Sequence, residues 1–87
     1  MAEGTTYYAI IRDGASVVSP SGLARRTFTS EGRVDEALRS NLTWQRDSAI
    51  YEWERGEELG VELIEISEDE AQNLIERFRA KWAEQDS

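Results

Sequence analysis

The sequence predicts a small α+β fold, in which two helices cover one face of an antiparallel sheet of four to five strands. Three observations lead to this prediction. The chain has 87 residues, which suffices for a single domain spanning 1–87 with one hydrophobic core. Short β-branched and aromatic segments separated by turn residues recur between residues 6 and 66. The C-terminal segment instead has the apolar spacing of a long helix.

The first third of the chain contains three predicted extended segments. Residues 6–12 are rich in β-branched and aromatic side chains, and an Asp-Gly turn follows at 13–14. A short piece at 15–18 ends at the turn 19–22, which contains the only proline. Residues 23–29 then alternate as in a strand.

The middle of the chain predicts a short helix at about 33–40. Val34, Ala37 and Leu38 recur at helical spacing, and acidic residues follow Val34 in what would be the first turn. The segment 42–46 is ambiguous, and we interpret it as the beginning of a strand.

Two further strands are predicted in the second half of the chain. In 49–55, alternation places Ala49, Tyr51 and Trp53 inward and Ile50 outward. In 61–66 the alternation slips between adjacent apolar residues, which indicates a bulge or burial on both faces.

The best-defined predicted element is a helix at about 68–84. Ser67 and Glu70 form a capping-box pattern, and three acidic residues in the first turn suit the positive end of the helix dipole. One apolar stripe follows at helical spacing, formed by Ala71, Leu74, Ile75, Phe78 and Trp82.

The composition gives little support to catalysis or metal binding. The chain has no cysteine and no histidine, so it lacks thiolates, imidazole bases and the commonest metal ligands. Glu52 and Glu54 would share one strand face as a carboxylate pair, but a solvated face explains them more simply. We therefore expect a protein that is not an enzyme and has no metal or cofactor.

Charge is distributed unevenly along the chain. Residues 1–46 carry six bases and five acids, whereas residues 47–87 carry four bases and thirteen acids, for a total of −8. Such a charge opposes nucleic-acid binding despite the adjacent Arg25 and Arg26. We expect those arginines instead to pair with acids of the second half, either within the chain or across an interface.

The leading functional hypothesis is a small acidic cytosolic protein that presents an acidic surface to a basic protein partner. The alternative is a homo-oligomer with a structural or scaffolding role, in which the arginine-rich half of one chain meets the acidic half of the next. Nucleic-acid or small-molecule binding is the third hypothesis.

No signal peptide or membrane span is evident, so we expect no membrane association. Trp44, the least patterned tryptophan, is expected to be exposed. The candidate interaction residues are Glu52, Glu54, Glu57, Glu58, Glu62, Glu65 and Trp44.

Overall fold

A five-stranded antiparallel sheet lies between a short helix and a long one in the computed structural model of this chain. The structure describes residues 4–12, 15–16, 20–39, 41–56 and 60–85. The elements are β1 (Gly4–Ile11), β2 (Gly22–Thr29), β3 (Gly32–Leu38), β4 (Trp44–Arg46), α1 (Ala49–Glu54), β5 (Glu62–Ile66) and α2 (Glu68–Gln85). The predicted extended piece at 15–18 lies partly outside the described residues.

The strands are arranged in the order β4-β3-β2-β1-β5, and every neighbouring pair is antiparallel. The first strand is therefore interior, between β2 and β5, while β4 and β5 form the two edges. This architecture confirms the predicted α+β fold class, with its antiparallel sheet and its C-terminal helix.

The long helix α2 begins and packs as its sequence predicts. The Ser67 hydroxyl accepts a hydrogen bond from the Glu70 amide at 3.1 Å, and Glu70 accepts one from the Ser67 amide at 3.1 Å. Its apolar stripe packs on one face of the sheet, where it contributes three of the eight buried residues of the larger core. We call this core the α2-side cluster; it consists of Tyr7, Ala9, Leu23, Leu38, Ile66, Ala71, Leu74 and Phe78.

The prediction of a middle helix at 33–40 is wrong, because this segment forms strand β3. It pairs along its length with β2, and a two-residue turn joins the two strands. Gly32 ends that turn at φ 126°, a conformation that disfavours residues with a side chain. Oppositely charged residues face each other across the pair, Arg25 opposite Glu36 and Arg26 opposite Asp35. These cross-strand pairs favour a strand over the weak helical spacing.

The prediction of a strand at 49–55 is also wrong, because residues 49–54 form helix α1. Ile50 is 1% exposed, so it points into the protein rather than outward. With Ile10, Ala24 and Leu63 it forms a second, smaller core that we call the α1-side cluster. This cluster lies on the sheet face opposite α2, so the two helices do not share one face as predicted.

Candidate functional site

The most elaborate polar contact in the described chain surrounds Arg26. This residue lies on β2 and is only 6% exposed. Its guanidinium donates to Asp35 on β3 at 2.8 and 3.1 Å and to Glu54 on α1 at 2.9 and 2.9 Å. These hydrogen bonds raise the pKa of Arg26, so it stays charged, and Arg26 lowers the pKa of Glu54. The arrangement links two strands to the short helix.

Other arginines of the first half of the chain are also paired internally. Arg25 contacts Glu36 at 2.8 Å, and Arg39 contacts Asp47 at 2.9 Å. The pairs of Arg26 with Glu54 and of Arg39 with Asp47 join the two halves of the sequence, as expected for Arg26. The same expectation is wrong for Arg25, because its cross-strand neighbour Glu36 belongs to the first half. Internal pairing therefore occupies much of the positive charge of the first half.

The first group of predicted interaction residues does not form one acidic strand face. Glu52 and Glu54 lie on α1 because this segment is helical, and Glu54 is bound to Arg26. Glu52 is half-buried. Glu57 and Glu58 lie outside the described residues.

The second group, Glu62 and Glu65, lies exposed on the edge strand β5. Glu62 is opposite Ile11 of β1, and Glu65 is opposite Tyr8. Because Ile11 packs against the α2-side cluster and Tyr8 against the α1-side cluster, the two carboxylates project from opposite faces of the sheet. Neither forms an ion pair with a described residue. They therefore lie on both sides of one exposed strand edge.

Two further acids extend this surface where β5 ends. Glu68 and Asp69 open α2 directly after Ser67, are exposed, and have no ion-pair partner in the described ranges. Sequence reasoning missed them because helix capping and the dipole seemed to explain all three acids of the first turn; only Glu70 takes part in the capping box. Their position beside an edge strand could not be read from the sequence, since strand order was unknown. We call Glu62, Glu65, Glu68 and Asp69 the acidic edge.

Trp44 supports the core rather than standing free on the surface. It is half-buried and packs against the α2-side cluster, with its ring 6.1 Å from that of Tyr7. The Arg25 guanidinium lies over the ring at 4.3 Å. The expectation of an exposed Trp44 is therefore wrong, because β4 places it inward.

The described residues contain neither a metal-binding cluster nor a membrane-spanning helix. Across the described ranges, no cluster of three or more acidic, histidine or cysteine side chains could hold a metal ion. No described helix is both long and apolar enough to span a bilayer. What the acidic edge offers chemically is exposed negative charge beside open backbone hydrogen-bonding groups.

Comparisons with protein-family models, curated proteins and solved structures give no match to this chain.

Proposed function

We propose that this chain is a non-enzymatic, cytosolic protein-binding domain that uses its acidic edge to bind a basic segment of a protein partner. The observation that carries this proposal is the position of the exposed acids. Glu62 and Glu65 lie along an edge strand, and Glu68 and Asp69 follow within a few residues. None of the four is neutralised by an ion pair with a described residue.

An edge strand provides a second recognition element besides charge. The inner side of β5 pairs with β1, and no strand among the described residues pairs with its outer side. A partner segment that adds as a further strand would obtain main-chain hydrogen bonds there. Its side chains would alternate between the two faces of the sheet. Basic residues on either face could then meet Glu62 or Glu65.

The charge of the edge contributes to the rate and specificity of binding. Exposed carboxylates steer a cationic partner and disfavour acidic ones, and salt weakens this effect. The same charges discourage pairing of β5 with another copy of itself. The proposed binding is therefore selective for a basic segment and sensitive to ionic strength.

The proposal is tested by affinity capture from cell lysate at low salt, with three forms of the protein compared. The edge variant is Glu62→Gln with Glu65→Gln. The control variant is Glu31→Gln with Glu76→Gln, which removes the same charge from exposed positions elsewhere. Glu68 and Asp69 stay unchanged because their loss would also weaken the start of α2.

We expect wild type and the control variant to retain the same basic proteins and to release them as the salt concentration is raised. The edge variant should not retain these proteins. Recovery of no basic protein, or equal recovery by the edge variant, would contradict the proposal.

Homo-oligomerisation remains the alternative prediction. A homo-oligomer of this kind requires arginines of one chain to contact acids of the next. Since Arg25, Arg26 and Arg39 already bind acids within the chain, the internal pairs favour the first proposal. Sedimentation at two salt concentrations separates the two ideas, because a monomer at low salt rejects the oligomer.

A further inference from the structure

We infer, on the basis of the proposed function, that the segment bound at the acidic edge carries two basic residues three positions apart, with two apolar residues between them. The pattern follows from the order of residues along β5, in which Glu62 and Glu65 enclose Leu63 and Ile64. The occupant is therefore a short extended segment of a basic protein partner.

The two acids of β5 lie on opposite faces of the sheet. Glu62 is opposite Ile11 of β1, which packs against the α2-side cluster. Glu65 is opposite Tyr8, which packs against the α1-side cluster. Arg12 lines a surface depression together with Glu62 but forms no ion pair with it. Each face of this edge therefore presents one exposed carboxylate that has no cationic partner among the described residues.

The two residues between the acids are apolar and also lie on opposite faces. Leu63 belongs to the α1-side cluster, beside the half-buried Val61. Ile64 is opposite Ala9, so it lies on the face that carries α2. It is half-buried and belongs to neither core cluster. An apolar residue of an added strand would cover the exposed part of Ile64, and removal of that surface from water favours binding.

Pairing between strands converts the order of residues on β5 into an order on the partner. A residue of an added strand lies on the same face as the residue opposite it, with Cβ atoms about 5 Å apart. The bases opposite Glu62 and Glu65 are therefore three residues apart, about 10 Å along the partner, and lie on opposite faces. Because acid, aliphatic, aliphatic, acid is the same order in both directions, parallel and antiparallel partners need the same spacing.

The same geometry selects one register. A shift of the partner by one residue would place a base opposite Leu63 or Ile64 and would exchange the faces of all its side chains. Two bases separated by a single residue lie on one face, so they cannot meet Glu62 and Glu65 together. The edge therefore discriminates between segments of equal charge by the spacing of their basic residues.

A second copy of this chain is a poor occupant of the same edge. The antiparallel pairing of two β5 strands that matches their central aliphatic residues also places each acid opposite an acid. Like charges directly opposite each other destabilise a strand pair. Charge complementarity thus favours a basic segment over another β5.

Two peptides of identical composition test the spacing, in titrations followed by amide chemical shifts of the isotope-labelled protein at low salt. One has the sequence SVKVVKVS, with lysines three positions apart, and the other has the sequence SVKVKVVS, with lysines two positions apart. Both have blocked ends, so their charges are equal. We expect the first peptide to bind about fivefold more tightly, because the second can place only one lysine opposite an acid.

A variant that moves one acid provides a matched control. Ile64→Glu with Glu65→Ile keeps the composition and charge of β5 but places both acids on the face that carries α2, two positions apart. The preference between the two peptides should then reverse. Glu31→Gln with Glu76→Gln should leave it unchanged. If the variant with the moved acid does not fold, the comparison of the two peptides on wild type decides alone.

The outcomes separate the spacing from the proposed function. Equal binding of the two peptides to wild type, still lost in Glu62→Gln with Glu65→Gln, would overturn the spacing and leave the proposed function standing. Binding of neither peptide would overturn both. Shifts at residues 61–66 that depend on protein concentration in the absence of peptide would make a second copy the occupant, and would also overturn the spacing.

Discussion

Arg26 is the residue that most strongly couples the sheet to the short helix. Its side chain is 8% exposed and that of Asp35 is 11% exposed, whereas that of Glu54 is 42% exposed. Removing one partner of a buried ion pair leaves the other charge without compensation. The buried contact with Asp35 should therefore matter more for stability than the solvated contact with Glu54.

We predict that Arg26→Ala lowers the free energy of unfolding by about 3–5 kcal/mol, because it leaves the partly buried Asp35 with only its longer contact to Arg33 at 3.8 Å. The matched control Arg39→Ala removes a pair that is more exposed than that of Arg26 with Asp35, and should cost about 0–1 kcal/mol. Urea denaturation measures both changes. If Arg26→Ala does not fold, Arg26→Lys provides a milder comparison. Equal losses of unfolding free energy for the Arg26 and Arg39 substitutions would show that the contacts of Arg26 stabilise the fold no more than a more exposed ion pair does.

The Arg26–Glu54 contact predicts a specific pH dependence. Hydrogen bonding to Arg26 lowers the pKa of Glu54 below its ordinary value of 4.5. The stability that this contact contributes is therefore present above 4.5 and is lost as the pH falls through the lowered pKa. Unfolding free energies of wild type and Glu54→Gln should differ at neutral pH and converge in acid. A difference that stays constant or grows in acid would contradict this prediction.

At the scale of elements, the sequence predicts those segments whose local signals all agree. In α2 the capping box, the acidic first turn and the apolar stripe favour the same helix, and the structure confirms it. Segments 33–40 and 49–55 lack this agreement. The first has helical spacing but pairs as a strand through Arg25 and Arg26, and the second alternates like a strand but forms α1. In both, contacts with distant residues decide between two weak local patterns.

Helix α1 provides a direct test of this conclusion. A strand would place Tyr51 inward and Ile50 outward, whereas the helix buries Ile50 and leaves Tyr51 41% exposed. We predict that Ile50→Ala costs about 2–5 kcal/mol, because it opens a cavity in the α1-side cluster. Tyr51→Ala should cost clearly less. Thermal or urea unfolding of the two variants measures this, and the reverse order of losses would support the strand.

The candidate site was only partly predictable for a related reason. The sequence indicates Glu62 and Glu65 as candidates because both are charged residues in a predicted strand. Glu54 does not add to the acidic surface, because helix α1 brings it to Arg26. Glu68 and Asp69 do add to it, because the strand order places β5 at an edge of the sheet. No local pattern specifies which strand forms an edge. The sequence therefore predicts the amount of negative charge better than its location.

At the scale of the whole molecule, the uneven charge along the sequence becomes a charge difference across the sheet. The acidic edge lies at β5, at one end of the strand order, whereas Arg33 on β3 and Arg46 on β4 lie towards the other end. Internal pairs neutralise much of the charge between them. This separation predicts that a cationic ligand binds at the β5 end of the molecule.

Chemical-shift mapping with a basic probe tests the central claim, the function of the acidic edge, most directly. The probe is a ten-residue peptide of alternating lysine and valine, added at low salt to the isotope-labelled protein. We predict shifts concentrated at residues 62–69, weakened by Glu62→Gln with Glu65→Gln and unchanged by Glu31→Gln with Glu76→Gln. Shifts spread evenly over all exposed acids, or equal binding by both variants, would contradict the account.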